Sequence, residues 1–211
     1  MKPYYQDSAV TIWHGDCREI LPTLEPVDLV CMDPPYGINE NSKKVASRGK
    51  LAAATDYGGF SWDKNTVEWE LLSAYIKLGK YCCCWGGNYY PVEPSASWLV
   101  WDKENSGDFA DAELAWTNYG SAVRVKRHMW NGMIRKGHEI RFHPTQKPIE
   151  VITWAISLCP NNPQTILDPF AGSCTTGRAA KDLNKKAILI EREEKYCEVG
   201  ANRMSQEVLA L

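Results

Sequence analysis

The sequence predicts an α/β fold, a single doubly wound and mostly parallel sheet with helices on both faces, and three observations carry that prediction. Short apolar runs alternate with segments of helical periodicity along the chain. Two of the runs, Val27-Asp28-Leu29-Val30-Cys31-Met32 and Thr165-Ile166-Leu167, lead straight into loop-forming sequences, Asp33-Pro34-Pro35-Tyr36-Gly37 and Asp168-Pro169-Phe170-Ala171-Gly172-Ser173-Cys174-Thr175-Thr176-Gly177. The strand, glycine turn, helix and strand between Ile166 and Ile190 supply the right-handed crossover that a parallel sheet needs. Each loop then lies at the C-terminal edge of a buried strand, where open α/β sheets bind small molecules.

Taken in order, Val10–His14 reads as a strand, and Gly15-Asp16 leads into a short helix with Ile20, Leu21 and Leu24 at helical spacing. The strand ending at Asp33 follows. Residues 39–59 are polar and small and read as a long mobile loop. An amphipathic helix runs from Val67 through Leu71, Leu72, Tyr75 and Ile76 to Leu78 and stops at Gly79, and Tyr81–Trp85 is a buried strand closed by Gly86-Gly87-Asn88. Ser97–Trp101 and Glu113–Trp116 read as antiparallel strands, because no helix-length pattern joins them. Pro148 opens a helix through Ile149, Ile152, Ala155, Ile156 and Leu158, which Asn161-Asn162-Pro163 stops. After the crossover comes the strand Ala187–Ile190 and a terminal helix from about Glu193.

Composition bounds the reading. A chain of 211 residues is in the range of one domain and buries about 70% of the surface its unfolded form exposes. The formal charge of −2 excludes a wholly basic nucleic-acid binder, so any affinity for nucleic acid comes from local patches. No apolar stretch approaches the roughly 20 residues of a membrane span, and Met1-Lys2-Pro3-Tyr4-Tyr5 has no signal-peptide core, so a cytoplasmic protein is expected. Of the eight cysteines, Cys82, Cys83 and Cys84 are consecutive in a strand and point to alternate faces, so they cannot converge on a metal, and no Cys-x-x-Cys pair occurs. They read as buried apolar side chains of a reduced protein, with no metal site.

The two loops carry the chemistry. In the first, Asp33 and the Pro34 carbonyl are hydrogen-bond acceptors, and the paired Pro34 and Pro35 fix φ near −65° and remove two donors, which leaves the carbonyls aimed outward. Tyr36 offers a flat face on which a planar ligand can stack, and Gly37 allows close approach. In the second, Gly172 permits a tight turn and the amides from Ser173 to Thr176 open a helix whose positive end suits a carboxylate. A phosphate loop needs a Lys before its Ser/Thr, and Cys174 does not supply one, so nucleotide triphosphates are not the expected ligand. Glu191 follows the next strand, placed as an acceptor for ribose hydroxyls.

The pair of loops, catalytic segment first and glycine segment last, resembles the permuted beta group of S-adenosylmethionine-dependent DNA amino-methyltransferases. Gly15-Asp16-Cys17 is similar to that family's turn for the cofactor adenine, His143-Pro144-Thr145-Gln146-Lys147-Pro148 to its cofactor-wrapping element, and Trp85-Gly86-Gly87-Asn88-Tyr89 to a loop lining its catalytic pocket. The resemblance runs from about residue 10 to residue 203, and implies a Rossmann-like methyltransferase domain over 1–211 with a short target-recognition insert at 118–142. It implies catalysis by Asp33, Pro34, Pro35 and Tyr36, with S-adenosylmethionine held by Asp16, Cys17, Asp33, His143, Thr145, Gln146 and Lys147. Asp168, Pro169, Phe170, Ala171, Gly172, Ser173, Thr175 and Glu191 complete that cofactor set. Cys174 departs from the family, standing where a glycine is usual.

Arg124, Lys126, Arg127, Arg135, Lys136 and Arg141, with Trp130, His128 and His138 among them, form a basic and aromatic cluster in the insert. They are the expected contacts to double-stranded DNA, and Lys43 and Lys44 in the polar loop are expected to close over it. The insert is short, which implies a short recognition sequence or a second subunit in a homodimer. Asp at the first catalytic position favours adenine-N6 over cytosine-N4, where the family more often has Ser. Cytosine-N4 stays open, as do methylation of RNA or of a protein glutamine amide, and a degenerate relative that binds without turnover.

Overall fold

The computed structural model describes residues 2–37, 66–105, 110–131, 134–135, 139–143 and 145–206, with the backbone alone at Asn131, Ile134 and Arg135. Eleven strands are described: β1 (Tyr5–Gln6), β2 (Val10–His14), β3 (Val27–Met32), β4 (Gly79–Trp85), β5 (Trp98–Asp102), β6 (Ala112–Thr117), β7 (Arg124–Arg127), β8 (Trp130–Asn131), β9 (Ile134–Arg135), β10 (Thr165–Asp168) and β11 (Lys186–Glu191). The described helices are α1 (Cys17–Ile20), α2 (Trp69–Leu78), α3 (Ile149–Ser157), α4 (Thr175–Asp182) and α5 (Glu194–Ser205).

Nine strands form one sheet in the order β1-β2-β11-β10-β3-β4-β6-β5-β7, and β8 and β9 make a separate hairpin. The central strands β2, β11, β10, β3 and β4 are all parallel, so their C-terminal ends share one edge. Adjacent β3 and β10 are clamped at their starts by Asp28, whose Oδ2 accepts hydrogen bonds from the backbone N–H groups of Gln164 and Thr165, each at 2.9 Å. That clamp fixes the strand register, and with it the positions of the loops beginning at Asp33 and Asp168.

Both sheet faces are covered, as the apolar runs predict for strands buried on two sides. Val151, Ile152, Ala155 and Ile156 of α3, Ala179 and Ala180 of α4 and Met204 of α5 pack on one face with Ile12, Leu29 and Leu189. Leu72 and Tyr75 of α2 and Ile20 of α1 pack on the other with Val30, Leu167 and Ile190. Cys83 belongs to the first face and Cys82 and Cys84 to the second, so the consecutive thiols diverge.

The sequence reading differs from the structure in three places. Pro148 caps α3 from outside with φ −61° and ψ 141° instead of lying in its first turn. Val67 precedes α2 and lies outside the helix. Part of the segment read as an insert is sheet: Arg124–Arg127 pairs with β5 as the terminal strand. Its alternation is basic rather than apolar, and Val125 is 60% exposed, so no buried face marks it as a strand. The long polar loop at 39–59, with Lys43 and Lys44, lies outside the described residues.

Candidate active site

The shared C-terminal edge of β2, β11, β10, β3 and β4 bears, in that order, the Gly15-Asp16 turn, Glu191, the Asp168 loop, the Asp33 loop and Trp85-Gly86. Between them opens a cleft of about 450 Å³, within the size range of small-molecule sites. Every residue that the resemblance assigns to the cofactor lines this cleft, and of the four assigned to catalysis Asp33 and Pro35 do.

The glycine loop is built from its own side chains. Asp168 is buried; its Oδ1 accepts from the Phe170 N–H at 3.0 Å and its Oδ2 from the Thr176 hydroxyl at 2.6 Å. Burial pushes its pKa up to about 7, against the lowering effect of those two donors. Glu191 receives the Gly172 N–H on Oε2 and the Glu193 N–H on Oε1, each at 2.7 Å, and burial raises it too, to about 7. A ligand offering hydroxyl or ammonium donors to these carboxylates would favour their charged forms.

The His143–Lys147 segment packs across this loop. The Ser173 hydroxyl donates to Gln146 Oε1 at 3.0 Å, and Gln146 Nε2 donates to Glu139 Oε1 at 2.9 Å. Arg203 of α5, 5% exposed, donates to the Ser173 carbonyl at 2.5 Å from beneath. Gln146 and Ser173 thus hold the two segments together. His143 lies against Tyr196 with ring centroids 4.3 Å apart, and burial lowers its pKa to about 3, so it is neutral. Asp16 caps α1 through the Arg18 N–H at 2.9 Å; its bonds to Arg18 hold it at about 2.

At the Asp33 end, Oδ1 accepts from the Tyr36 hydroxyl and from Lys147 Nζ, both at 2.5 Å. Oδ2 and the Pro34 carbonyl take no hydrogen bond from the described residues, whereas the Pro35 carbonyl accepts from the Tyr90 hydroxyl. Two acceptors are therefore left without a partner among the described residues, on Asp33, which lines the cleft, and on Pro34, which is buried beside it. The Tyr36 ring stacks on Tyr89 at 4.9 Å and 15°, and its edge presses on Gly86, where a Cβ would sit 2.0 Å from Cε1. Gly86 also has φ +67°, so glycine is required twice over.

Lys147 joins the cofactor cleft to the Asp33 end. It lines the cleft, but its ammonium points to Asp33, to the Tyr36 hydroxyl at 3.0 Å and to Glu113 Oε2 at 3.1 Å. Glu113 and Arg203 are site residues that sequence reasoning missed, whereas Tyr89 lies in the Trp85–Tyr89 segment that the resemblance placed at the catalytic pocket. A single acid inside the apolar strand Ala112-Glu113-Leu114-Ala115-Trp116 is a signal for the first; Arg203 in a polar terminal helix gives none.

Of the basic cluster, Arg124, Lys126 and Arg127 lie together on β7. Lys126 pairs with Glu150 at 2.7 Å and Arg127 with Asp102 at 3.3 Å, while Arg141 Nε donates to the His143 carbonyl at 3.1 Å. Arg124 is exposed on β7, and the Arg135 side chain lies outside the described residues. β7 runs parallel to β5, and its C-terminal end faces the same sheet edge as Asp33, four strand spacings or about 19 Å away.

A family model described as DNA methylase, of the N6/N4 type, matches residues 92–202. The DNA adenine methyltransferase YhdJ of Escherichia coli (strain K12) is 27% identical over 255 residues, covering 95% of this chain and 84% of its own. Among solved structures, the M1.HpyAVI–SAM complex superposes with a TM-score of 0.58 at 23% identity, covering 92% of this chain and 99% of that one. The cytosine-N4-specific PvuII DNA methyltransferase gives 0.63 at 16% identity, covering 99% and 91%. Both share the fold of this chain.

Proposed function

Since the chain belongs to the N6/N4 family of DNA methylases and is thus a DNA amino-methyltransferase, we propose that its target is the N6 amine of adenine, extruded from duplex DNA at a specific sequence. The observation that carries this reading is Asp33, whose Oδ1 is taken by Tyr36 and Lys147 and whose Oδ2 takes no hydrogen bond from the described residues, in the wall of a cleft that also takes in the Gly172 loop and Glu191.

S-adenosylmethionine supplies an electrophilic methyl group on a sulfonium centre. Glu191 would take the ribose hydroxyls, and the Asp16 turn the adenine end. The nitrogen of a nucleobase amine is a poor nucleophile because its lone pair is delocalised into the ring. Asp33 and the Pro34 carbonyl, by accepting one amino proton each, favour a pyramidal nitrogen whose lone pair points into the cleft. The positive charge that builds on that nitrogen during transfer is stabilised by the same carboxylate, so the interaction strengthens in the transition state. As the N–C bond forms, the S–C bond would break and the donor would leave as a neutral thioether; the cationic amine would then lose one proton to solvent and keep the methyl group. Tyr36 would stack on the base on the side away from Tyr89, and β7 with Arg124 would contact phosphates.

Incubation with duplex DNA and methyl-labelled S-adenosylmethionine, followed by digestion and separation of nucleosides, tests this reading. Label is expected in N6-methyl-2′-deoxyadenosine. Label in N4-methylcytosine would overturn the assignment to adenine, and no label in DNA would overturn turnover altogether.

A further inference from the structure

The charges behind Asp33 form a line that methyl transfer as outlined does not use. Lys103 Nζ lies 2.5 Å from Glu113 Oε1, Glu113 Oε2 lies 3.1 Å from Lys147 Nζ, and Lys147 Nζ lies 2.5 Å from Asp33 Oδ1. The Lys147 side chain is 6% exposed, its ammonium sits 5.5 Å from the Tyr36 ring centre and 5.4 Å from that of Trp85, and it faces two carboxylates. One buried ammonium is shared between a carboxylate that faces the substrate and one that does not.

We propose that Lys147 is a positioning residue for Asp33, and that Glu113 and Lys103 set how much of its charge reaches the Asp33 carboxylate. This deepens the reading of the site as a methyltransferase centre and rests on it for its catalytic meaning. The ammonium engages Oδ1 and so turns Oδ2 toward the amine. Replacing it by a neutral group leaves Asp33 rotationally freer and surrounded by negative or apolar neighbours.

The electrostatics agree with the geometry. Burial raises the Asp33 pKa, Lys147 opposes that rise, and Glu113 adds to it. Burial would raise Glu113 as well, but Lys147 and Lys103 outweigh it and hold Glu113 at about 2. Burial tends to deprotonate Lys147, and the two carboxylates overcome this and keep it charged. The other titratable groups facing Asp33 are Tyr36 in its own loop, Cys31 on β3, Cys84 on β4 and Asp168 on β10. None of these is a cation. Lys147 is therefore the counter-charge that decides the ionisation of Asp33, and Glu113 competes for it.

The test is a titration of the Asp33 carboxyl carbon by nuclear magnetic resonance in the cofactor-free full chain labelled at aspartate, with Asp33→Asn identifying the signal. Lys147→Met should move the midpoint to higher pH and Glu113→Gln to lower pH. Lys103→Met, which leaves Glu113 to draw Lys147 away, should move it up. Opposite shifts in Glu113→Gln and Lys103→Met support the proposal even if Lys147→Met does not fold, because both keep Lys147. Midpoints that stay put, or that move together, overturn it. The acid limb of the pH–rate profile for methyl transfer should follow the same shifts. Shifted midpoints in a protein that methylates no DNA would leave the charge arrangement standing and refute the functional reading instead.

Discussion

At the scale of single residues, the site rests on which oxygen of a carboxylate is left free. The Tyr36 hydroxyl and Lys147 saturate Asp33 Oδ1 and direct Oδ2 outward. Tyr36 therefore has two duties, a ring that stacks and a hydroxyl that orients, and substitutions separate them. Tyr36→Phe keeps the ring and should lower the methylation rate modestly, while Tyr36→Ala should cost a further 1–3 kcal/mol or so, seen as weaker binding of duplex DNA carrying a mismatched target base. Equal losses in both variants would show that the hydroxyl, not the ring, is what matters. The Asp-Pro-Pro-Tyr segment was legible in the sequence because its residue types state their chemistry: acceptors, fixed φ and a flat ring. Lys147 was legible as a site residue but not in its direction, because a motif records neighbours in the chain and its partner Glu113 lies 34 positions earlier, on β6.

At the scale of elements, the departure at Cys174 becomes intelligible in α5. Cys174 has φ +61°, a left-handed conformation that costs a non-glycine residue about 1–2 kcal/mol, and it opens α4 without a side-chain cap. Its thiol lies over Gly200, where a Cβ would come within 2.3 Å of Sγ. The sulfur fills the space that a glycine in the middle of α5 leaves. Cys174→Gly should thus trade relief of backbone strain against a small cavity and change stability by no more than about 1 kcal/mol. Gly200→Ala should destabilise by about 1–3 kcal/mol through overpacking. The double variant should recover most of that loss in urea denaturation, and strictly additive effects would show that the two positions do not share the space. The parallel strands and their crossover helices were legible from apolar periodicity. The strand β7 was not, because its residues are basic but for one exposed valine, Val125, so pairing with β5 rather than burial makes it a strand.

At the scale of the whole molecule, the cleft is a place where folding keeps carboxylates it would rather neutralise. Asp168 and Glu191 have folded pKa values of about 7, above their ordinary 3.8 and 4.5. The native state then holds more protons than the unfolded one, so stability declines as pH rises from about 4.5 through 7. His143, at about 3 instead of 6.5, works the other way and contributes more as pH rises to 6.5. The net loss of stability in the cofactor-free protein should therefore fall mainly between about pH 5.5 and 7 and level off above about pH 7.5. Asp168→Asn or Glu191→Gln should each flatten it in urea denaturation. A stability that climbs steadily to pH 8 would refute the assigned burial. The same sheet edge brings the ends of four strands, β2, β11, β10 and β3, into one cleft, and the central claim is that these form a single centre in which Asp33 faces the amine while the Gly172 loop and Glu191 hold the methyl donor. The rate of methyl transfer to duplex DNA in one turnover by Asp33→Ala, with donor saturating as judged by calorimetry on the same sample, tests this most directly. Transfer should be abolished while donor affinity stays within a few-fold of the unaltered protein, and transfer at near the unaltered rate would contradict the account.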